Sequence, residues 1–439
     1  MNNRMILAVD IGTQSLKAST INEDLITIDR ATVTYEPLAR SGGQVEINVS
    51  VLWNAFIKAC SEIKTTRIDG IVFSTLCPSL LLMDSEGAAL TPVILHLDRR
   101  SSKQSDWIVN NVGLEKFRSI TGNPPIPGGI SVTSMMWIKE FFDCTLPDGA
   151  VFGHVITYFI KKLTGRFLID PSNASFTGVY ETLRYGGWSP ELLEKVDISE
   201  KNLPDIADST EIAGEIARSV SRETGLPVGA KVIVGANDTT CAAAGAGVNE
   251  PGMLMNTAGT VEILLMCSDK PIISENHLIR THACKDRWLM MRTLGAGGAS
   301  IEWFRKNFCR EMTRDVYYSE YIPSVLAGCE KSSIRFEPYL SGDRHTLEKV
   351  SAAFKNITLD SGRDDMLRAL FFDNVHYLVS IFDEWKNVCT IDKNIFHVGG
   401  GAADAYTNYK QRLLPDFKFR NIGETAELGA AIIGFKALG

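Results

Sequence analysis

The 439-residue sequence has no apolar run of the roughly twenty residues that a membrane-spanning helix needs. It also has no excess of positive charge, because 52 acidic side chains outnumber 45 lysines and arginines and give a net charge of −7. Neither a membrane partner nor a nucleic-acid partner is therefore expected. The first apolar segment is too short for a secretory signal peptide, so we expect a cytoplasmic protein.

Recognisable cysteine and glycine motifs are also missing. None of the nine cysteines is spaced as C-x-x-C, so neither a zinc site nor a disulfide framework is predicted. Free thiols, as in a reducing cytoplasm, are the expectation. The glycine-rich turn at 399–401 matches neither G-x-G-x-x-G nor the Walker pattern, so the folds with those motifs are not supported.

Strand and helix patterns alternate in both halves of the sequence. Residues 5–36 read as a strand meander with tight turns, and residues 49–64 have the apolar spacing of a helix. After residue 229 come a strand, a helix of small residues and a hairpin around 257–260. We therefore predict an α/β protein with two domains, 1–228 and 229–439, and a ligand-binding cleft between them.

Asp10 places a carboxylate at the end of the apolar run "ILAVD". An ionised acid near a buried strand is costly unless it is paired, hydrogen-bonded or facing a metal. Gly12 permits a tight turn there, whose amides and hydroxyls can surround phosphate oxygens. Because Mg²⁺ usually takes one or two carboxylates plus phosphate, Asp10 is a candidate magnesium residue. The alternative is an aspartate that only caps a hairpin turn.

Two later segments also place polar residues or glycines after a strand. Asp238 follows "AKVIVGAN" and is either the N-cap of the next helix or a base at a domain edge. The glycines at 399–401 join a strand to an amphipathic helix, which lets bare backbone approach a base or a phosphate. A plain tight turn is the alternative for those glycines.

Taken in order, these segments resemble the actin-like ATPase superfamily and, more narrowly, the FGGY carbohydrate kinases of xylulokinase type. The motifs are D-x-G-T, a second Gly-Thr turn, a strand-end aspartate and Gly-Gly-Gly-Ala. "LLLMDSEGAALTPVILHLDRRS", "ITGNPPIPGG", "KKLTGRFLIDPSNASFTGVY" and "FEPYLSGDRH" also fall in family order, so the resemblance covers nearly the whole chain. It implies two actin-like (ribonuclease H-like) domains, each with a mixed β-sheet flanked by helices.

The resemblance implies phosphorylation of a hydroxyl of a small sugar or polyol by ATP and Mg²⁺, with a ketose favoured. Asp238 would be the general base, and Asp10 would orient Mg²⁺ through water. The implied ATP- and phosphate-binding residues are Gly12, Thr13, Gln14, Ser15, Lys17, Gly259, Thr260, Gly295, Gly298, Gly400, Gly401 and Ala402. The alternatives are a glycerol-, erythritol- or gluconate-like acceptor, or a degenerate kinase that serves as a sensor. A homodimer is compatible with the family.

The sequence departs from the family pattern around the acceptor. Related xylulokinases carry G-Q-M-H-G where this chain has Thr75-Leu76-Cys77-Pro78-Ser79, and the tryptophan of W-x-D-x-R is His96. The candidate substrate-binding residues are Leu76, Cys77, His96, Asp98, Arg100 and Asp238. Packing roles for His96 and Cys77 are the alternatives. Because a site that bonds one particular hydroxyl rejects analogues whereas an apolar wall does not, the sugar is not predicted.

Overall fold

A computed structural model describes residues 4–40, 43–328, 333–399 and 404–439. Its strands are β1 Met5–Ile11, β2 Ser15–Asn22, β3 Thr27–Thr34, β4 Leu38–Arg40, β5 Gln44–Ile47, β6 Gly70–Thr75, β7 Ser79–Met83, β8 Val93–Leu95, β9 Val151–His154, β10 Leu168–Ile169, β11 Asp205–Ile206, β12 Ile212–Glu215, β13 Lys231–Asn237, β14 Leu254–Ala258, β15 Glu262–Ser268, β16 Leu278–Thr281, β17 Trp288–Leu294, β18 Arg335–Glu337, β19 Ala353–Lys355, β20 Asn394–Val398 and β21 Lys418–Gly423.

The helices of the described ranges lie between and beside these strands. They are α1 Val49–Glu62, α2 Ser102–Asn111, α3 Leu114–Thr121, α4 Ser131–Phe141, α5 Val155–Thr164, α6 Pro171–Ala174, α7 Pro190–Val196, α8 Arg218–Thr224, α9 Asp238–Gly245, α10 Gly297–Phe308, α11 Arg314–Val316, α12 Ile322–Ala327, α13 Arg363–Val379, α14 Phe382–Lys386, α15 Asp404–Leu413 and α16 Ala426–Leu438. Within this described part of the chain, no helix combines the length and apolar character needed to cross a bilayer.

A six-stranded mixed sheet forms the core of the N-terminal half, in the order β12-β13-β6-β1-β2-β3. The strands β1, β2 and β3 form the antiparallel meander, and β6 and β13 continue the sheet in parallel with β1. The side chains from Ile6 to Val9 are all fully buried. A continuous apolar run of this kind is typical of a strand covered on both faces.

A second six-stranded mixed sheet, β16-β17-β15-β14-β20-β21, repeats this plan. Its hairpin of β14 and β15 is antiparallel, and β20 and β21 continue the sheet in parallel with β14. A further antiparallel sheet, β4-β5-β8-β7-β9, belongs to the N-terminal half. The predicted α/β class with two mixed sheets is therefore confirmed.

The strand β13 joins the first sheet although it follows residue 228. It pairs in parallel with β6, and α16 returns from the end of the chain to pack on β1, β6 and β13. The predicted division after residue 228 thus does not separate the two sheets, because the first sheet includes residues 231–237 and is covered by residues 426–438. Where the domains divide stays a prediction.

Small residues allow α9 and α16 to pack in direct contact. A Cβ added at Gly429 would lie 1.7 Å from the carbonyl oxygen of Cys241, and one at Gly245 would lie 2.1 Å from that of Thr425. Only glycine fits backbone approaches of this kind. Because Asp238 begins α9, the contact with α16 helps to fix the position of that carboxylate.

We expect Gly429→Ala to lower the free energy of unfolding by about 2–3 kcal/mol, because the added methyl group overlaps backbone atoms of α9. Gly434→Ala, in the same helix, is the matched control. Its Cβ would meet only side-chain methyl groups, the nearest at 3.1 Å on Ile6. Urea unfolding followed by circular dichroism measures both variants. Equal midpoints for the two would contradict the prediction.

Candidate active site

Two aspartates lie at one edge of the first sheet. Asp10 is near the end of β1, Asp238 directly follows β13, and β6 lies between these strands. Because the three strands are parallel, their carboxyl ends meet at the same edge, and two strand spacings separate the aspartates by on the order of 10 Å. Both strand-end aspartates therefore come from one sheet, although the sequence assigned them to different halves.

The Asp10 carboxylate is partly buried and accepts a hydrogen bond of 2.6 Å from the Ser74 hydroxyl on β6. Burial raises the pKa of Asp10 to about 7, and the negative charges of Asp238 and Glu427 act in the same direction. The Ser74 hydrogen bond and the charge of Lys17 lower this pKa only in part. A carboxylate with such an unfavourable environment for its negative charge is suited to bind a cation.

Asp238 is the first residue of α9 but not its N-cap. Asn237 fills the cap position, since its side-chain oxygen accepts the amide of Thr240 at 2.9 Å. One oxygen of Asp238, Oδ1, accepts the amide and hydroxyl of Thr239 at 2.6 and 3.1 Å. The other, Oδ2, has no hydrogen-bond partner among the described residues. The capping alternative is thus excluded for Asp238, and one carboxylate oxygen is free to accept a proton.

A buried hydrogen-bond chain supports the backbone just before Asp238. Asp170 is fully buried and accepts the backbone amide of Ser172 at 2.8 Å and the side-chain amide of Asn173 at 2.6 Å. The Ser172 hydroxyl, also bonded to Asp170, accepts the backbone N–H of Asn237 at 3.1 Å. The sequence analysis assigned no role to these residues, although they lie in the family-like segment 161–180.

The first predicted phosphate turn, residues 12–15, is closed by its own backbone. The Gly12 amide donates to the Ser15 carbonyl at 2.9 Å, and the hydroxyl of Tyr35 donates to the Gly12 carbonyl at 2.7 Å. Gln14 is exposed, and Gly12, Thr13 and Ser15 are partly exposed. The turn is therefore accessible from solvent beside Asp10.

The second predicted phosphate turn, Gly259 and Thr260, is exposed and lies against the start of α10. The Gly298 amide donates to the Gly259 carbonyl at 2.9 Å, and a Cβ at Gly298 would lie 2.6 Å from that oxygen. Gly295 is similarly close to Ser341, whose hydroxyl would be 2.5 Å from an added Cβ. The backbone contact at Gly298 requires glycine, whereas the serine side chain beside Gly295 can rotate away. The predicted nucleotide residues Gly400, Gly401 and Ala402 lie outside the described residues.

Asp98 and Arg100 form a buried ion pair, and their predicted contact with substrate stays a prediction. Asp98 is fully buried and accepts the Val45 amide at 2.8 Å and Arg100 Nε at 2.9 Å. Arg100 also pairs with Glu46 at 2.6 Å and lies over the ring of Trp137. Because the Arg100 guanidinium is held between two carboxylates, a structural role accounts for both Asp98 and Arg100.

Lys17 is also bound within the protein. Its ammonium lies 2.6 Å from Glu424, which Arg30 contacts at 2.5 Å. Arg30 pairs with Glu427 as well. These ion pairs tie β2 and β3 to the start of α16. The lysine would have to leave Glu424 to reach a phosphate, and its predicted phosphate contact stays a prediction.

Leu76 and Cys77 follow β6 on the acceptor side. The Leu76 side chain is buried, and Cys77 Sγ lies 3.9 Å from Nδ1 of His154. Burial raises the pKa of the Cys77 thiol, so it is uncharged and not a nucleophile. Burial and the positive charges of Arg344 and Arg99 lower the pKa of His96 to about 3, so its ring is neutral.

The sequence analysis missed Arg280, which β16 places near Asp238. Its side chain is 4% exposed, and its guanidinium carbon lies 4.1 Å from the centroid of the Phe176 ring. The charge of Arg280 opposes the rise that burial causes in the pKa of Asp238, and it also lowers the pKa of Cys77. No sequence motif around Arg280 indicates a functional role, because β16 is a short strand. The residues near its side chain, Phe176 and Asp238, come from distant parts of the chain.

Comparison with known proteins identifies the family to which this chain is similar. The model of the "FGGY family of carbohydrate kinases, N-terminal domain" matches residues 5–245. A xylulose kinase of Staphylococcus xylosus is 24% identical over 406 residues, which cover 90% of this chain and 83% of that protein. A gluconokinase of Bacillus subtilis is 24% identical over 454 residues, covering 99% and 88%. The crystal structure of xylulose kinase from Rhodospirillum rubrum matches with a TM-score of 0.90 and 20% identity, covering 99% and 90%.

Proposed function

The chain belongs to the FGGY family of carbohydrate kinases, and we propose that Asp238 and Asp10 share the catalysis of its ATP-dependent phosphorylation of a sugar or polyol. The resemblance noted in the sequence is thereby confirmed. The observation that supports these two roles is the position of both carboxylates at one sheet edge. The sensor alternative is not favoured, since a protein that only binds sugar has no need of a base.

In this proposal, Oδ2 of Asp238 accepts the proton of the attacking hydroxyl. Phosphoryl transfer depends mainly on in-line positioning and on neutralised phosphate oxygens, so the base need not be strong. The Thr239 amide and hydroxyl hold the other oxygen, Oδ1, and so orient the carboxylate. Arg280 favours the ionised form that a base requires.

We propose that Asp10 binds Mg²⁺ through water. The fit is electrostatic: the pKa of about 7 reflects burial and two neighbouring carboxylates, and a divalent cation would favour the ionised form. Mg²⁺ commonly keeps several waters and takes one carboxylate together with phosphate oxygens. The amides of Gly12 and Gly259 already donate to the carbonyls of Ser15 and Val261, so the remaining N–H groups of the turns at 12–15 and at Gly259-Thr260 would donate to those phosphates.

A coupled ADP-release assay over ketoses, polyols and aldonates tests the proposed function. We expect ADP to form only when an acceptor is present with ATP and Mg²⁺, and we expect EDTA to abolish it, because the charge on the phosphates would then not be neutralised. ATP binding without acceptor-dependent ADP release would instead favour the sensor. Similarity alone does not choose the acceptor, because the xylulose kinase and the gluconokinase are each 24% identical to this chain.

We also propose a cytoplasmic location and a homodimer. The eight cysteines that the structure describes are all free, which suits a reducing compartment. The dimer rests on the family alone, and size-exclusion chromatography with light scattering would measure it.

A further inference from the structure

We propose that the acceptor carries a carboxylate and that Arg280 binds it, so that the preferred substrate is a sugar acid such as an aldonate. This inference rests on the proposed function, because it places the acceptor beside Asp238. It adds a specificity-determining residue that the sequence motifs do not contain.

The first observation is that Arg280 is buried with its donors unused. At 4% exposure it keeps its charge, since a guanidinium is not deprotonated in proteins. Its Nε and Nη1 atoms are buried and have no hydrogen-bond partner, and no described carboxylate lies within ion-pair distance. Phe176 covers one face of the guanidinium and leaves its N–H edges for a ligand. A buried charge of this kind is unfavourable until a ligand compensates it.

The second observation is the position of this guanidinium. Its charge lowers the pKa of Asp238, Cys77 and His154 alike. Geometry places it there as well, because Phe176, on which the guanidinium stacks, follows the segment whose Ser172 hydroxyl holds the Asn237 amide beside Asp238. Arg280 therefore lies near both the proposed base and the segment after β6 where the sequence places the acceptor. If a hydroxyl of the acceptor contacts Asp238, another functional group of the same acceptor lies near Arg280.

The third observation is a second guanidinium with an unused donor. Arg344, in the loop after β18, has a buried Nη2 atom without a partner and makes no ion pair with a described residue. Together with Arg99 it lowers the pKa of His96, which lies on the predicted acceptor side. Arg99 is held by the carbonyls of His96 and Pro127 at 2.9 and 2.8 Å. Arg344 thus adds a second guanidinium with an unused donor on the predicted acceptor side.

A carboxylate explains these arginines better than a neutral sugar does. Hydrogen bonds between charged partners are roughly twice as strong as those between neutral ones. A ketose would offer the arginines only hydroxyl and carbonyl oxygens and would leave their charge uncompensated. A phosphate on the acceptor would also be negative, but its second charge would be repelled by Asp238 and the buried Asp170. We therefore infer a group with a single negative charge.

The test uses acceptors that share a carbon skeleton: D-gluconate with D-glucitol, D-xylonate with xylitol and D-xylulose, and D-glucitol 6-phosphate as the phosphorylated arm that has no carboxylate. We expect kcat/KM for the aldonate to exceed that for its neutral partner by at least about tenfold, mainly through a lower KM.

Arg280→Met removes the charge while keeping an apolar side chain against Phe176. We expect it to raise KM for the aldonate by at least about tenfold and to leave KM for neutral acceptors within about threefold. Because Arg280 also favours the ionised form of Asp238, we expect any loss of kcat to be the same for all acceptors. Arg287→Met, on the loop between β16 and β17, is the matched control. This arginine is 28% exposed in its side chain and lies 3.4 Å from Glu250.

The outcomes separate the two proposals. Equal or better use of neutral acceptors, or preference for the phosphorylated polyol, would overturn the carboxylate assignment while leaving the kinase intact. An equal loss of kcat for every acceptor in Arg280→Met, without a selective rise in KM for the aldonate, would assign the arginine to phosphoryl transfer alone and also overturn it. Failure of all acceptors to release ADP would overturn the proposed function itself. The wild-type panel decides the acceptor class even if the variant does not fold.

Discussion

Asp238→Asn is expected to lower kcat by about 10³-fold, within the range that loss of a general base produces. The amide has nearly the same volume and its oxygen can still accept the Thr239 amide and hydroxyl. It cannot take the proton of the acceptor hydroxyl, because it has no comparable basicity. The measurement is steady-state ADP release with saturating ATP and acceptor.

ATP binding to this variant is expected to remain within about threefold of the wild-type value, because Asp238 acts only on the acceptor side. Isothermal titration calorimetry with a non-hydrolysable ATP analogue measures it. Asp383→Asn, an exposed aspartate on α14, is the control for the substitution itself. A kcat for Asp238→Asn within about tenfold of wild type would remove this residue from the role of base.

Asp10→Asn is expected to make the ligand-free protein more stable at pH 8 while lowering kcat by at least about a hundredfold. The activity falls because the variant loses the carboxylate proposed to orient Mg²⁺. The stability rises because burial opposes the ionised form of Asp10, and the neutral amide avoids this cost. Opposite effects on activity and stability are expected where a functional group is held in an unfavourable environment.

The pH dependence of this stability follows from the pKa of Asp10, which is raised from 3.8 to about 7. Between these values the folded protein holds a proton that the unfolded chain releases, so ionisation opposes folding more and more as the pH rises. The gain in Tm for Asp10→Asn should therefore be small at pH 4 and largest at pH 8.

Differential scanning fluorimetry at both pH values, with and without Mg²⁺ and ADP, measures these shifts. The rise in Tm that Mg²⁺ and ADP together produce should be larger for the wild type than for Asp10→Asn. The same Tm gain at pH 4 and pH 8 would show that the substitution acts through packing and not through charge.

The elements that could be predicted from the sequence are those fixed by neighbouring residues. The meander β1–β3, the turn at Gly12 and the hairpin around Gly259 all follow from local apolar alternation and glycine positions. The membership of β13 in the first sheet could not be predicted, because it depends on pairing with β6, far earlier in the chain. The position of Arg280 near Asp238 could not be predicted either, because only the folding of the chain brings β16 close to the start of α9.

The internal partners of two predicted site residues could not be read from the sequence. A motif shows that a charged residue matters, but it does not show whether the partner is a ligand or another part of the protein. Arg100 and Lys17 both bind carboxylates of their own chain, Glu46 and Glu424, and neither glutamate is near its partner in sequence. Such partners become visible only when the chain is folded.

The return of α16 to the first sheet has a consequence for biosynthesis. Ile6, Ala8 and Val72 lie under Ala430 and Ile433 in one apolar cluster, so their cover is encoded hundreds of residues downstream. While the ribosome is still translating the C-terminal half, this face of the nascent N-terminal half has nothing to bury it. The emerging chain should therefore be a chaperone client until residues 426–438 leave the exit tunnel, and a ribosome stalled before that point should present an aggregation-prone intermediate.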